Sequence, residues 1–299
     1  MQSRSANADL NVAILGPLGT YTHEAAYKHF GSQATYVERE TIKGVFEAIS
    51  TGADVGVVPQ ENTIFGSVVE TYDNLRETGF VCGEITLQVQ HCLLVRTGVQ
   101  LPEIRKVLSH EQALGQCRDF ISTNLPTVSL MKTTSTAAAA QALLGNPPDR
   151  AAICSRVCAT LFDGLSVLHE GIQNETANFT RFYIICKDQE TTITPQVPRT
   201  PRSQALVRIS PQLPSSTASS VVISPPSISR LLSALQINII RIDRRPSLGG
   251  IPFHDTYLVE LQEEPSVERD TESSWLAEVV KAVQRVEEAG GIAHLIGFW

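Results

Sequence analysis

From residue 11 to residue 188 the chain alternates short apolar runs with stretches of helical periodicity, and nothing else in it constrains the fold as much. Val12-Ala13-Ile14-Leu15 ends at Gly16-Pro17-Leu18-Gly19-Thr20, a turn that leads into a helix. Ile42, Val45, Phe46 and Ile49 recur at helical spacing, and Val55-Gly56-Val57-Val58 is again strand-like until Pro59 stops it. The pattern returns with Lys106-Val107-Leu108, a helix through Ala113 and Cys117, the run Thr127-Val128-Ser129-Leu130 and an alanine-rich helix from Thr136 to Leu144. Such alternation predicts an α/β fold with parallel sheets covered by helices. In that architecture ligands bind beyond the carboxyl ends of strands. Most of the unusual polar segments here follow directly after apolar runs.

The pattern breaks at Lys187 to Arg202, which is polar, proline-bearing and aperiodic and reads as a linker. Beyond it come strands at Ala205–Ile209, Asn238–Ile242, Tyr257–Leu261 and Gly291–Trp299, with helices at Ile228–Leu235 and Trp275–Glu288. The order βαββαβ predicts a small ferredoxin-like domain. Length agrees, since 299 residues suit about two domains. A formal net charge of −7 and a pI near 5.5 argue against a nucleic-acid partner, which needs a basic face. The opening Met1–Asn7 lacks an apolar stretch, so no secretory signal is expected, and no segment is apolar enough to cross a membrane. Six cysteines without a CxxC pair read as reduced thiols, which fits a cytoplasmic location.

Several segments could carry chemistry. Asn178-Phe179-Thr180-Arg181-Phe182 stands at the mouth of the apolar run Tyr183–Cys186 and sets a hydroxyl beside a guanidinium between two aromatic rings. That would put a neutral donor and a carboxylate-binding fork in one low-dielectric place, unless Arg181 is an ordinary surface residue at a strand edge. Glu61, Asn62 and Thr63 follow a strand. Ser109, His110 and Gln112 stand where a helix begins, as do Ser135 and Thr136, and free N–H groups there attract anions. Each such hydroxyl has a plainer reading as a helix cap. The set describes a polar cleft with no Walker loop, no complete GxGxxG and no His/Cys ligand set, so neither cofactor nor metal is expected.

Gly16-Pro17-Leu18-Gly19-Thr20-Tyr21, Val57–Thr63, Ser109–Leu114, Ser135–Ala139 and Asn178–Phe182 stand in the order found in prephenate dehydratases, which the chain resembles over nearly its whole length. Its C-terminal part, with Asp243-Arg244-Arg245-Pro246, resembles the ACT regulatory domain attached to them. The resemblance implies a flexible N-terminus (1–10), a catalytic domain at 11–188, a linker at 189–202 and an ACT domain at 203–299. The catalytic domain would be two-lobed like periplasmic binding proteins, with lobes at 11–87 plus 174–188 and at 88–173 and the site between them. With about ten residues before the first strand, neither a chorismate mutase domain nor a plastid transit peptide is expected.

The implied reaction is decarboxylating dehydration of prephenate to phenylpyruvate, water and CO2 in phenylalanine biosynthesis. Its barrier lies in the departing hydroxide, so the site must hydrogen-bond that hydroxyl and anchor a carboxylate. Thr180, Glu61 and His110 are the implied catalytic residues. Thr20, Asn62, Thr63, Ser109, Gln112, Ser135, Thr136, Arg181 and Phe182 would bind substrate. Glu61 beside a dianion must either orient other groups or have a raised pKa and act as the acid.

Asn238, Asp243, Arg244 and Arg245 are candidates for binding a phenylalanine effector, and a homodimer or homotetramer is expected. Four departures stand out. Thr63 replaces the usual Ser, Glu111 replaces a Pro, and Arg244 replaces a small hydroxyl, which would fill space the effector needs. Pro226-Ser227-Ile228-Ser229 also stands where Gly-Ala-Leu is usual. Arogenate dehydratase, a catalytically inactive amino-acid-sensing relative and a non-enzymatic solute-binding protein remain alternatives.

Overall fold

The computed structural model describes residues 10–189, 202–212, 226–248, 254–264 and 272–299. Most of the expected linker and the first nine residues lie outside these. In chain order the first elements are β1 (Asn11–Leu15), α1 (Tyr21–Phe30), β2 (Thr35–Arg39), α2 (Ile42–Thr51), β3 (Val55–Asn62), β4 (Gly66–Ser67), α3 (Val69–Leu75), β5 (Phe80–Gln88) and β6 (Cys92–Arg96). There follow β7 (Lys106–Ser109), α4 (Glu111–Gln116), α5 (Arg118–Asn124), β8 (Ser129–Lys132), α6 (Thr136–Leu144), β9 (Arg150–Cys154), α7 (Val157–Leu161), β10 (Leu165–His169) and β11 (Phe179–Cys186). The last are β12 (Gln204–Pro211), α8 (Ile228–Leu235), β13 (Asn238–Pro246), β14 (Asp255–Gln262), α9 (Glu272–Glu288) and β15 (Gly291–Phe298).

By contact density the chain forms two compact units. The first comprises residues 1–68 and 85–183, the second 69–84 and 184–299. The segment 69–84 therefore leaves the first unit and returns to it, and β5 and β11 are each divided between the two.

The first unit contains two sheets. One runs β11-β3-β1-β2, with β1 parallel to both β2 and β3. Its helices begin and end where local chemistry dictates. Thr20 caps α1 and Thr41 caps α2, each accepting a backbone N–H three residues on. Gly31 closes α1 at φ 75°, a conformation that favours glycine.

The other sheet runs β10-β6-β9-β7-β8. Successive strand residues project to opposite faces, and here both faces are covered. Leu93, Val95, Val107, Ala151 and Ile153 pack with Ala113, Leu114 and Ile121 of α4 and α5. Cys92, Leu94, Leu108, Ala152 and Cys154 pack with Ala137, Ala140 and Leu143 of α6. Burial on both sides explains the unbroken apolar runs.

The expectation of parallel sheets needs correction here. β7 is parallel to β8 and β9, but β6 is antiparallel to β9 and β10. A continuous apolar run carries no mark of strand direction, which is why the pattern could not reveal it. The edge strand β8 also begins two residues later than expected, at Ser129 rather than Thr127; all its residues are exposed, so its periodicity is weak.

In the second unit the elements follow the order β12-α8-β13-β14-α9-β15, and the antiparallel sheet runs β13-β14-β12-β15. Helices α8 and α9 cover one face, with Leu231, Leu235, Trp275, Val279, Ala282 and Val286 buried. Gly291 marks the closest approach: a Cβ there would lie 2.9 Å from Val286 Cγ1 and 3.0 Å from Leu231 Cδ2. All six cysteines are free thiols, and five are buried. No helix of the described residues is long and apolar enough to cross a membrane.

Candidate active site

The polar segments of the first unit lie at strand ends. Asn62 closes β3 beside the start of β11, and its side chain joins the two. Its Nδ2 donates to Asn178 Oδ1 at 2.8 Å, Thr180 Oγ1 at 2.9 Å and Phe179 O at 3.1 Å. Two hydrogens serve three acceptors, so one is shared. Its Oδ1 accepts from the backbone N–H of Ile64 at 2.9 Å and of Phe65 at 3.1 Å, which orients the amide. Thr63 continues the zipper: Oγ1 donates to Ala177 O and accepts from Phe179 N, both at 3.0 Å.

The consequence for Thr180 is electronic. Its oxygen accepts a hydrogen bond while its own proton stays available, and accepting polarises the O–H towards donation. Thr180 is half-buried and Phe182, on the same side of β11, is fully buried. The strand directs Thr180 and Arg181 to opposite faces. The expectation of a hydroxyl beside a guanidinium is thereby corrected, because adjacency along a strand separates two side chains. By the same rule Glu61, paired with Ser67 across β3 and β4, leaves its strand on the face opposite Asn62.

A second group gathers around α4 and α6. Ser109 is fully buried and donates to Ile153 O at 2.5 Å, committing its proton to the neighbouring strand. His110 is the N-cap of α4, with Nδ1 accepting from Gln112 N at 3.4 Å. An accepting Nδ1 places the proton of the neutral ring on Nε2, where it can be donated. The Gln112 side chain is exposed. Ser135 caps α6, accepting from Ala138 N at 3.0 Å, and Thr136 is the first helical residue. Thr133 ties the pieces together, its N–H on Ser109 O and its hydroxyl on Ser135 O, both at 2.9 Å. Glu111 pairs with Lys132, whose ammonium holds the carboxyl below its ordinary range, so this acid brings no net charge.

Thr20 both caps α1 and donates to Leu15 O at 3.0 Å. The preceding Gly19, at φ 94°, lies against the first turn of α6: a Cβ on it would stand 3.2 Å from Ala137 Cβ and 2.9 Å from Cys158 Sγ. That contact brings Thr20 towards Ser135 and Thr136. The structure thus makes two groups, one around Asn62 and Thr180 and one around Thr20, Ser109 and Ser135. Thr180 and His110 share no hydrogen bond.

Two features lie outside the expected set of site residues, although Asn178 and Tyr21 belong to motifs already singled out. Asn178 is buried, its Oδ1 taken by Asn62 and its backbone oxygen by Val89 N. Tyr21, His91 and Gln116 form a relay, with Tyr21 Oη 2.5 Å from His91 Nδ1 and His91 Nε2 2.5 Å from Gln116 Oε1. Burial lowers the His91 pKa and raises that of Tyr21, so both stay neutral. Tyr21 stood in a motif already singled out, whereas nothing in the pattern around His91 marked it.

In the second unit the four candidate effector residues do not meet. Asp243 pairs with Arg241, Arg244 with Asp255, and Arg245 forks onto Asp73 at 2.8 and 3.0 Å. Asn238 stands at the far end of β13, roughly 17 Å from Asp243 at about 3.3 Å per residue. It lines a cavity of about 400 Å³ with Leu232, Gln236, Trp275 and Glu278.

A family model described as prephenate dehydratase matches residues 12–190. The chain belongs to the prephenate dehydratase family. It is 35% identical over 246 residues to a bifunctional chorismate mutase/prephenate dehydratase of Pseudomonas aeruginosa, covering 81% of this chain and 62% of that relative. It is 31% identical over 309 residues to arogenate dehydratase/prephenate dehydratase 2, chloroplastic, of Arabidopsis thaliana, covering 99% of this chain and 74% of that one. The chain spans about half to less than two thirds of the length of the bifunctional bacterial relatives. A prephenate dehydratase from Arthrobacter aurescens in complex with L-Phe shares the fold, with a TM-score of 0.74 at 24% identity over 96% of this chain and 89% of that one.

Proposed function

We propose that this chain converts prephenate to phenylpyruvate. In that reaction the ring carboxylate leaves as CO2, its bonding electrons aromatise the ring, and the ring hydroxyl departs as hydroxide that takes up a proton to become water. The observation that carries the reading is the Asn62–Thr180 contact at the joined ends of β3 and β11, in a member of this family. Thr180, held as acceptor by Asn62, donates a preorganised hydrogen bond to the leaving oxygen. A threonine hydroxyl is too weak an acid to surrender its proton, so the proton comes from solvent or another group, for which His110 with Nε2–H is the candidate; Glu61, leaving β3 on the face opposite Asn62, is left the orienting role. Thr20, Ser135 and Thr136, with the first N–H groups of α1 and α6, suit the substrate's carboxylates. Gln112 and Arg181 are further candidates for contact with it.

In this reading residues 11–188 form a periplasmic-binding-protein-like catalytic domain and residues 203–299 an ACT domain. The sheet order β13-β14-β12-β15 with both helices on one face supports the latter. The L-Phe of the Arthrobacter aurescens neighbour supports phenylalanine as effector, acting on a cytoplasmic homo-oligomer. Arogenate is the second substrate to test, because the Arabidopsis thaliana relative carries both activities in its name. Purified protein is assayed for phenylpyruvate from prephenate and for phenylalanine from arogenate. Turnover of prephenate is expected; absence of turnover on both compounds would overturn the proposal.

A further inference from the structure

We infer that the face of the second unit's sheet turned away from α8 and α9 carries a binding site for a small organic oxyanion, bearing carboxylate or phosphate, held by residues the proposed reaction does not use. Gly291 and Ala293 of β15 face the helices, so Ile292 and His294 face the other way. Arg208 of β12 lies directly opposite His294 across the strand pair, and Ser210 lies opposite Ile292. Thr256 joins the same face through a 3.0 Å contact between its hydroxyl and that of Ser210. With His254 and with Arg76 from the chain after α3, these residues line a cavity of about 500 Å³, a size that suits a small metabolite.

The charge of this lining is one-sided. Two guanidiniums and two imidazoles face the cavity together with hydroxyls, and among the described residues no carboxylate lines it. Elsewhere on the sheet both signs are interspersed, as on β13 with Arg241–Asp243 and Arg244–Asp255. The acid beside the cavity, Asp73, is shared between Arg245 and Arg76. Arg208 has no ion-pair partner among the described residues; its Nη1 donates to the backbone oxygen of Arg76. Burial lowers its pKa. Arg76 Nη2 meets Asp73 and Nη1 donates to Pro246 O, while its buried Nε has no acceptor among the described residues. Guanidiniums lining a cavity fit planar oxyanions.

The test uses the full chain with inorganic phosphate and succinate as probes, the latter lacking the ring that the proposed reaction needs. Calorimetry measures affinity, and NMR follows the ring protons of His254 and His294. At least one probe should bind and shift both histidines. Arg208→Gln should raise its Kd roughly tenfold, the usual worth of a hydrogen bond to a charged group. His294→Gln, at an exposed position, should raise it a few-fold and serves if the arginine variant fails to fold. Tighter phosphate would point to phosphorylated ligands and tighter succinate to carboxylates; either supports the site. Failure of both probes to bind at about 10 mM, or a Kd unmoved by the substitutions, would overturn it.

Discussion

In the sheet β10-β6-β9-β7-β8 the strands β6, β9 and β7 are buried on both faces under helices, and polar residues stand at the strand ends, at Ser109, His110 and the segment Thr133–Thr136. In the sheet β13-β14-β12-β15 helices α8 and α9 cover one face, while the other, covered in part by α3, keeps polar residues at Arg208, Ser210, Thr256 and His294. A sheet covered twice leaves its ends for chemistry; one covered only in part on its second face leaves side chains on that face as well. The two arrangements also differ in precision. End residues are fixed by caps and by strand-to-strand bonds such as Asn62 to Thr180, whereas face residues are placed by cross-strand register, with side-chain bonds such as Ser210 to Thr256 added to it.

The sharpest way to break this contrast is Trp275→Ala, which empties a fully buried site between α9 and the second unit's sheet and should cost about 3–5 kcal/mol. Both tryptophans of the chain lie in the second unit, so the remaining Trp299 fluorescence reports its unfolding. If the proposed prephenate turnover, for which the candidate residues lie in the first unit, is lost in step with that signal, the units do not behave separately. Next comes Thr180→Ala, expected to lower kcat about 10²–10³-fold with KM little changed, since the contact matters in the transition state. Steady-state kinetics decide this, and a near-normal kcat would remove the strand end from the mechanism.

Smaller are two glycine substitutions that overpack one unit each. Gly56→Ala would set a Cβ 2.6 Å from Val45 Cγ1 under the first unit's sheet, while Gly291→Ala meets Val286 and Leu231 in the second. Each should cost about 1–3 kcal/mol by denaturant titration, and only Gly291→Ala should shift the tryptophan signal first.

The smallest effect is acid sensitivity of the first unit. Burial lowers the pKa of His23, His29 and His91 from 6.5, so below that value the unfolded chain binds more protons than the folded one. Stability is therefore lost as pH falls through about 6.5 towards the lower folded values. Urea titrations across that range should show the decline, and His23→Asn should flatten it.

Much of this was legible in the residues. The helices at Thr136–Leu144 and Ile228–Leu235 begin and end where periodicity and caps put them, because Ser135 and Ser227 stand just ahead of each apolar face. The strand Asn238–Ile242 extends further, to Pro246, because its charged second half pairs with β14 through side-chain partners that no periodicity announces. At the candidate site, Asn62 and Thr180 are 118 residues apart, yet each stands beside an apolar run that marks it. Their bond carries no such mark, nor does the burial of Asn178 between them. Thr180 and Arg181 are a different case, since strand alternation alone suffices to part their side chains once the run Tyr183–Cys186 is read as a strand.

The chain passes from one unit to the other at 68/69, 84/85 and 183/184, so the second unit is assembled from two stretches. Arg245 on Asp73, Arg208 on the carbonyl of Arg76, and Gly297 beside Val81 all stitch the later stretch to the earlier one. A protease site introduced between residues 190 and 201 would therefore yield two polypeptides that co-elute on a sizing column until denaturant parts them.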